Sequence, residues 1–149
     1  MILQVILLLA GGYFFFGLNM PTDISKWFTF TWLIILGTAS STVLGIAFSS
    51  VPKSGRGASA VVSPVVIVLQ FFSGVFFIFT QLPSWMQQVA AIFPLKWLTQ
   101  GMRSVFLPDS FAANEVAKSW ETGRTFTILV IWLVVGFFIS LRTFKWSRE

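Results

Sequence analysis

Charge is so sparse along this 149-residue chain that four long stretches contain none: Met1–Thr22, Trp27–Pro52, Gly57–Leu95 and Thr125–Leu141. Hydrocarbon cannot hydrate a charge, so uncharged apolar runs of about 18 residues or more read as membrane spans. The third run constrains the fold most, because at 39 residues it is too long for one span and too short for two with a loop between them. It breaks near Gln81-Leu82-Pro83, then continues through Gln87, Gln88 and a second proline, Pro94. The reading is one full span followed by a short helical excursion that dips back into the membrane surface.

Composition agrees. The chain is 56% hydrophobic and 17% aromatic, more apolar surface than a soluble domain of this size could hide from water. The net charge of +5 comes from ten basic and five acidic residues. The basic ones are spread over span flanks and make no stripe, so lipid headgroups are expected as their partners and nucleic acid is not. Cysteine and histidine are both absent, which excludes disulfides, thiolate chemistry, Ser-His-Asp triads and most zinc sites. No catalytic, cofactor or metal residue is assigned. The first run lacks the basic n-region and cleavage signal of a secretory leader.

The expected fold class is all-α: one polytopic membrane bundle over residues 1–149, with four transmembrane helices and a short re-entrant or interfacial helical hairpin on the outer face. The spans are placed at 2–18, 27–50, 58–80 and 125–142, and the outer helical hairpin at 83–107. Four spans put both termini on one side. The basic residues divide evenly between the two sides, but Lys53, Arg56, Arg142, Lys145 and Arg148 are dense, whereas Asp23, Asp109, Glu115 and Glu121 all fall opposite. Positive-inside bias then places the termini and the Lys53/Arg56 loop in the cytoplasm, and the 108–124 connector outside.

None of the five carboxylates lies inside a predicted span, so no proton relay at membrane depth is available. No G-x-x-x-x-G-K-[ST] loop is present to cradle nucleotide phosphates. Uphill movement of any solute would need energy from another subunit.

Small residues Gly37, Ser41, Gly45 and Ser49 recur every four positions in the second span and form a groove for close helix approach. Packing within the chain and an intersubunit seam are both open. In the third span Ser63, Gln70 and Phe77 are seven apart and share roughly one face. Gln70 either bonds to an adjacent helix or lines, with the other two, a polar substrate pathway. The Pro64 beside Ser63 removes a backbone hydrogen bond. Past the break, Leu95, Leu98, Met102 and Val105 form an apolar face, and Lys96, Gln100 and Arg103 take the opposite one. Pro83, Trp85, Pro94, Gly101 and Arg103 mark the hairpin, with Lys96 and Arg103 expected to reach headgroups or water.

The order Phe71-Phe72-Ser73-Gly74-Val75-Phe76-Phe77, then Leu82-Pro83-Ser84-Trp85, then Phe93-Pro94-Leu95-Lys96-Trp97-Leu98-Thr99-Gln100-Gly101-Met102-Arg103 resembles the membrane subunit of ABC-2 type ATP-binding-cassette transporters. The resemblance covers residues 71–107 best, and the span order fits the rest. Such permeases typically have six spans and a cytoplasmic coupling segment between the second and third. The four spans here correspond to the last four, as in the C-terminal portion of a permease.

The resemblance implies a cell-membrane permease subunit without a nucleotide site of its own, partnered by a cytoplasmic ABC ATPase subunit and a second permease subunit, in a homo- or heterodimer. It implies export of an amphipathic or lipid-linked compound: a drug, an antibiotic or a polysaccharide. The alternative is a non-transporting multi-pass protein (an assembly, immunity or regulatory module) or an inactive truncated permease.

Overall fold

A computed structural model describes residues 2–49 and 58–143. Among them are six α-helices and no strand: α1 Ile2–Phe16, α2 Ile24–Phe48, α3 Ala58–Phe72, α4 Ser84–Ile92, α5 Pro94–Phe106 and α6 Thr122–Thr143. The basic loop at Lys53 and Arg56 and the tail beyond Thr143 lie outside the described residues.

Helices α2 and α6, 25 and 22 residues long, are long and apolar enough to cross a membrane. They share the longest seam in the bundle and run parallel. Trp32 meets Phe126 edge to face at 5.5 Å, and further along both helices Ser140 Oγ donates to the Val43 carbonyl at 3.0 Å. Gly136 permits the approach, since a Cβ there would sit 3.1 Å from Val43 Cγ1. Helix α5 lies antiparallel against both. Leu33 of α2, Val105 of α5 and Leu129 of α6 make the dry centre of the bundle, each no more than 1% exposed. Between helices in lipid such a contact is held by van der Waals packing and not by expulsion of water. Helix α1 makes no extensive contact with the others and leaves Leu3, Leu7, Phe14 and Phe16 exposed. An apolar exterior of this kind is unfavourable in water and suited to lipid.

Two boundaries differ from expectation. Helix α2 begins at Ile24, a turn before Trp27. The third span does not run as helix to Thr80: α3 ends at Phe72, and Gly74 adopts a left-handed φ of 77° that a side chain rarely tolerates. A bent segment and a 3-10 turn at Phe79–Gln81 follow. The uncharged run gave no reason to stop the helix, because the stop is a backbone event at glycine.

The hairpin forms as expected. Pro83 caps α4, Phe93 is extended (φ −90°, ψ 147°), and Pro94 opens α5. Proline disfavours helix at the residue before it yet suits the first position of a new helix. The break stacks Phe93 on Trp132, centroids 6.2 Å apart. Trp132 lies ten residues into α6, about 15 Å at 1.5 Å per residue. The hairpin therefore enters one end of the bundle, turns about halfway along α6, and returns to the end where Lys26 holds Leu107.

Candidate functional site

Helix α5 has two unlike faces, and the polar one is the more enclosed. Lys96 is 4% exposed and Gln100 is fully buried, whereas Leu95, Leu98 and Met102 are half-buried. This corrects the expectation that Lys96 reaches headgroups or water; Arg103 remains a quarter exposed. The reason is the connector, which folds over the polar face of α5 and supplies its partners. The Lys96 ammonium donates to Gln100 Oε1 and sits 3.6 Å from the Trp97 ring centroid, a favourable place for a desolvated cation. Gln100 Nε2 in turn donates to the carbonyls of Ser119 and Trp120 at 3.3 and 3.2 Å.

Arg103 ties three segments together. Its Nε donates to Glu115 Oε1 at 3.0 Å, and its Nη1 donates to the Gly74 carbonyl at 3.2 Å. Gly74 earns its place twice, because a Cβ there would crowd Arg103 Nη1 at 3.3 Å as well as adopt the disfavoured φ. Arg124 pairs with Glu121 at 2.7 Å, and Lys26 pairs with Asp109 at 3.3 Å. Burial pulls the Lys96 pKa down to about 8, against the smaller opposing effect of Glu121 and Glu115. Helix α5 is too short to span the membrane, so this polar layer belongs to the hairpin end of the bundle.

Between the 74–81 segment, Arg103 and the connector lies a cavity of about 940 Å³. Two residues of its wall carry buried nitrogens without a partner, Arg103 Nη2 and Trp120 Nε1.

The structure gathers some of the expected residues and separates others. Pro83, Trp85, Pro94, Gly101 and Arg103 all belong to the hairpin. Gly101 is buried, and a Cβ there would lie 2.6 Å from Leu33 Cδ2. Trp85 packs edge to face on Phe72 at 6.2 Å. Ser63 and Gln70 lie two turns apart on one face of α3, exposed and half-buried respectively, whereas Phe77 lies beyond the helix end and does not extend that face. Of the small-residue stripe, Gly37 alone is packed within the chain, with Leu98 Cδ2 2.5 Å from where its Cβ would be. Ser41, Gly45 and Ser49 are exposed, and a Cβ on Gly45 would meet nothing within 4 Å. The buried stripe of α2 is instead Leu33, Gly37, Ser40 and Ala47. That spacing follows the helical period as well as the other does, so the face was readable and its choice was not. Trp132, which donates to the Ile92 carbonyl, was not singled out by any motif; its position midway along an apolar span was the available signal.

No curated protein and no solved structure matches the chain closely enough to count as similar. A family model described as ABC-2 family transporter protein matches residues 1–142. With that match spanning both long apolar helices and the hairpin between them, the chain belongs to the ABC-2 transporter family.

Proposed function

We propose that this chain is the membrane permease subunit of an ATP-driven exporter, working with a cytoplasmic ABC ATPase subunit and a second permease subunit. The family match over residues 1–142 carries the reading. The apolar exterior of α1, α2 and α6 supports membrane residence. The sequence holds no phosphate-binding loop, so the energy for transport is assigned to the ATPase. In this reading the four apolar segments are the last four of six spans, both termini are cytoplasmic, and the hairpin faces outward. The cargo assigned in this reading is an amphipathic or lipid-linked compound, on the family resemblance.

The test is co-expression with a candidate ABC ATPase subunit, purification through a tag on the permease alone, and reconstitution in proteoliposomes. The expected result is a stable complex whose ATP hydrolysis exceeds that of the ATPase by itself. A permease that purifies alone and leaves hydrolysis unchanged would contradict the proposal and favour a non-transporting membrane module.

A further inference from the structure

Five charged side chains converge where α5, the connector and the start of α6 meet, and their pairing leaves one over. Arg103 takes Glu115 and Arg124 takes Glu121. Lys96 remains, and among the described residues no carboxylate lies within ion-pair distance of it. Its hydrogen-bond acceptor is the neutral amide of Gln100. Holding an ammonium this deeply without a counter-charge is costly, and two aromatic rings offset only part of that cost.

Lys96 forms part of the wall of a cavity of about 520 Å³, together with Gln88, Trp97, Glu121 and Arg124. The cavity is not isolated. Ala91 and Ile128 belong both to its wall and to that of an adjoining groove of about 340 Å³ between α4 and α6. The remaining groove residues are Ile92, Ile131, Trp132 and Val135. From Ile128 to Val135 the groove follows α6 for about 10 Å away from the connector, a direction that leads into the bundle. A compartment with a cation in its wall thus adjoins an apolar groove.

We infer that this compartment and groove bind an anionic amphiphile, its phosphate or carboxylate head beside Lys96 and its acyl chain along α4 and α6 toward Val135. Arg124, two-thirds exposed at the rim, guides the head in, while the Glu121 carboxylate it holds is kept from repelling it. The pairing satisfies two demands at once, a counter-charge for Lys96 and cover for the groove. Two sources share this chemistry: a phospholipid of the surrounding bilayer, and a free amphiphile such as a fatty acid. The inference does not depend on transport, and it stands or falls on binding alone.

The experiment uses the full chain in a mild neutral detergent, with retained ligands read by native mass spectrometry. Three probes are offered: dioleoyl phosphatidylglycerol, oleate, and zwitterionic dioleoyl phosphatidylcholine. Retention of phosphatidylglycerol or oleate in preference to phosphatidylcholine is expected, and the preferred anion names the source. Lys96→Met should reduce that retention about tenfold or more, the loss expected for a charge-assisted contact, while Lys96→Arg keeps it. Ala91→Phe, which blocks the junction and leaves every charge in place, should abolish it. Lys118→Met, which removes an exposed lysine of the connector, should have no effect. Melting temperature without ligand identifies any variant that has failed to fold. Equal retention of anionic and zwitterionic probes, or full retention in either folded Lys96→Met or folded Ala91→Phe, would overturn the inference.

Discussion

The indole of Trp132, midway along α6, donates a 2.7 Å hydrogen bond to the carbonyl of Ile92, the last residue of α4. Pro94 has no N–H, and Phe93 is extended, so the end of α4 lacks the continuing helix that would otherwise satisfy its carbonyls. Trp132 supplies that donor and stacks on Phe93 in the same contact. It fixes how deeply the tip of the hairpin sits along α6.

Trp132→Phe keeps an aromatic ring and removes the donor. It should cost about 1 kcal/mol, read as a lowered melting temperature in detergent. Trp132→Ala loses the stack as well and should cost more than Trp132→Phe, but less than the roughly 3–5 kcal/mol of a fully buried tryptophan, because Trp132 is only half-buried. Equal effects of the two would mean that the hydrogen bond, and not the ring, holds the hairpin.

Helix packing gives a paired prediction. Gly101 faces Leu33 with no room for a Cβ, whereas Gly45 has open space around it. Gly101→Val should destabilise the isolated chain by about 1–3 kcal/mol through overpacking. Gly45→Leu should change it by less than about 0.5 kcal/mol, as surface substitutions do. A larger loss at Gly45 than at Gly101, measured on the monomer, would place the packed face of α2 one step round the helix.

How much of this was legible in the sequence depends on which force decides. The hairpin could be read residue by residue, because Pro83 and Pro94 act locally on the backbone. The two long spans could be read from the absence of charge. The end of α3 at Phe72 could not, since Gly74 lies inside an unbroken apolar run. Burial of Lys96 has a tertiary reason that the sequence hides: its partner Gln100 is held by Ser119 and Trp120, from a connector whose sequence looks only polar. The Ser41/Gly45 stripe and the Leu33/Ser40 stripe both have helical spacing, and only the positions of α5 and α6 show that the second is the one packed within the chain.

The ion pairs differ in worth. Glu115 is 8% exposed and Arg103 a quarter exposed, so Glu115→Gln, which keeps an acceptor oxygen but removes the guanidinium's counter-charge, should cost about 1–3 kcal/mol. Arg124→Gln breaks an exposed pair one turn apart and should cost less than about 0.5 kcal/mol. Thermal unfolding of the two variants side by side decides it.

Lys96 predicts a pH dependence of stability. Its pKa falls from 10.5 to about 8 on folding, chiefly through burial, with Glu121 and Glu115 opposing and Arg103 and Arg124 adding to the fall. Below about pH 8 both states hold the proton, and the folded chain bears the cost of burying it. Between about 8 and 10.5 the unfolded chain holds more protons, so stability rises with pH and then levels off. The melting temperature should climb over that window in the native chain, and the climb should shrink in Lys96→Met. An unchanged slope in the variant would assign the effect to other groups.

The most direct test of the membrane architecture asks whether the hairpin returns to the side it entered. The chain has no cysteine, so single cysteines at Ser54, Ser84 and Ser119 can be labelled in intact cells with an impermeant thiol reagent. Between Ser54 and Ser119 the account allows one crossing, by α3, and none by α4 and α5. Cysteines at Ser84 and Ser119 should both react from outside, and one at Ser54 should react only after the membrane is opened. Labelling of Ser54 and Ser119 from the same side, with Ser84 on the other, would make the hairpin a full span and contradict the account.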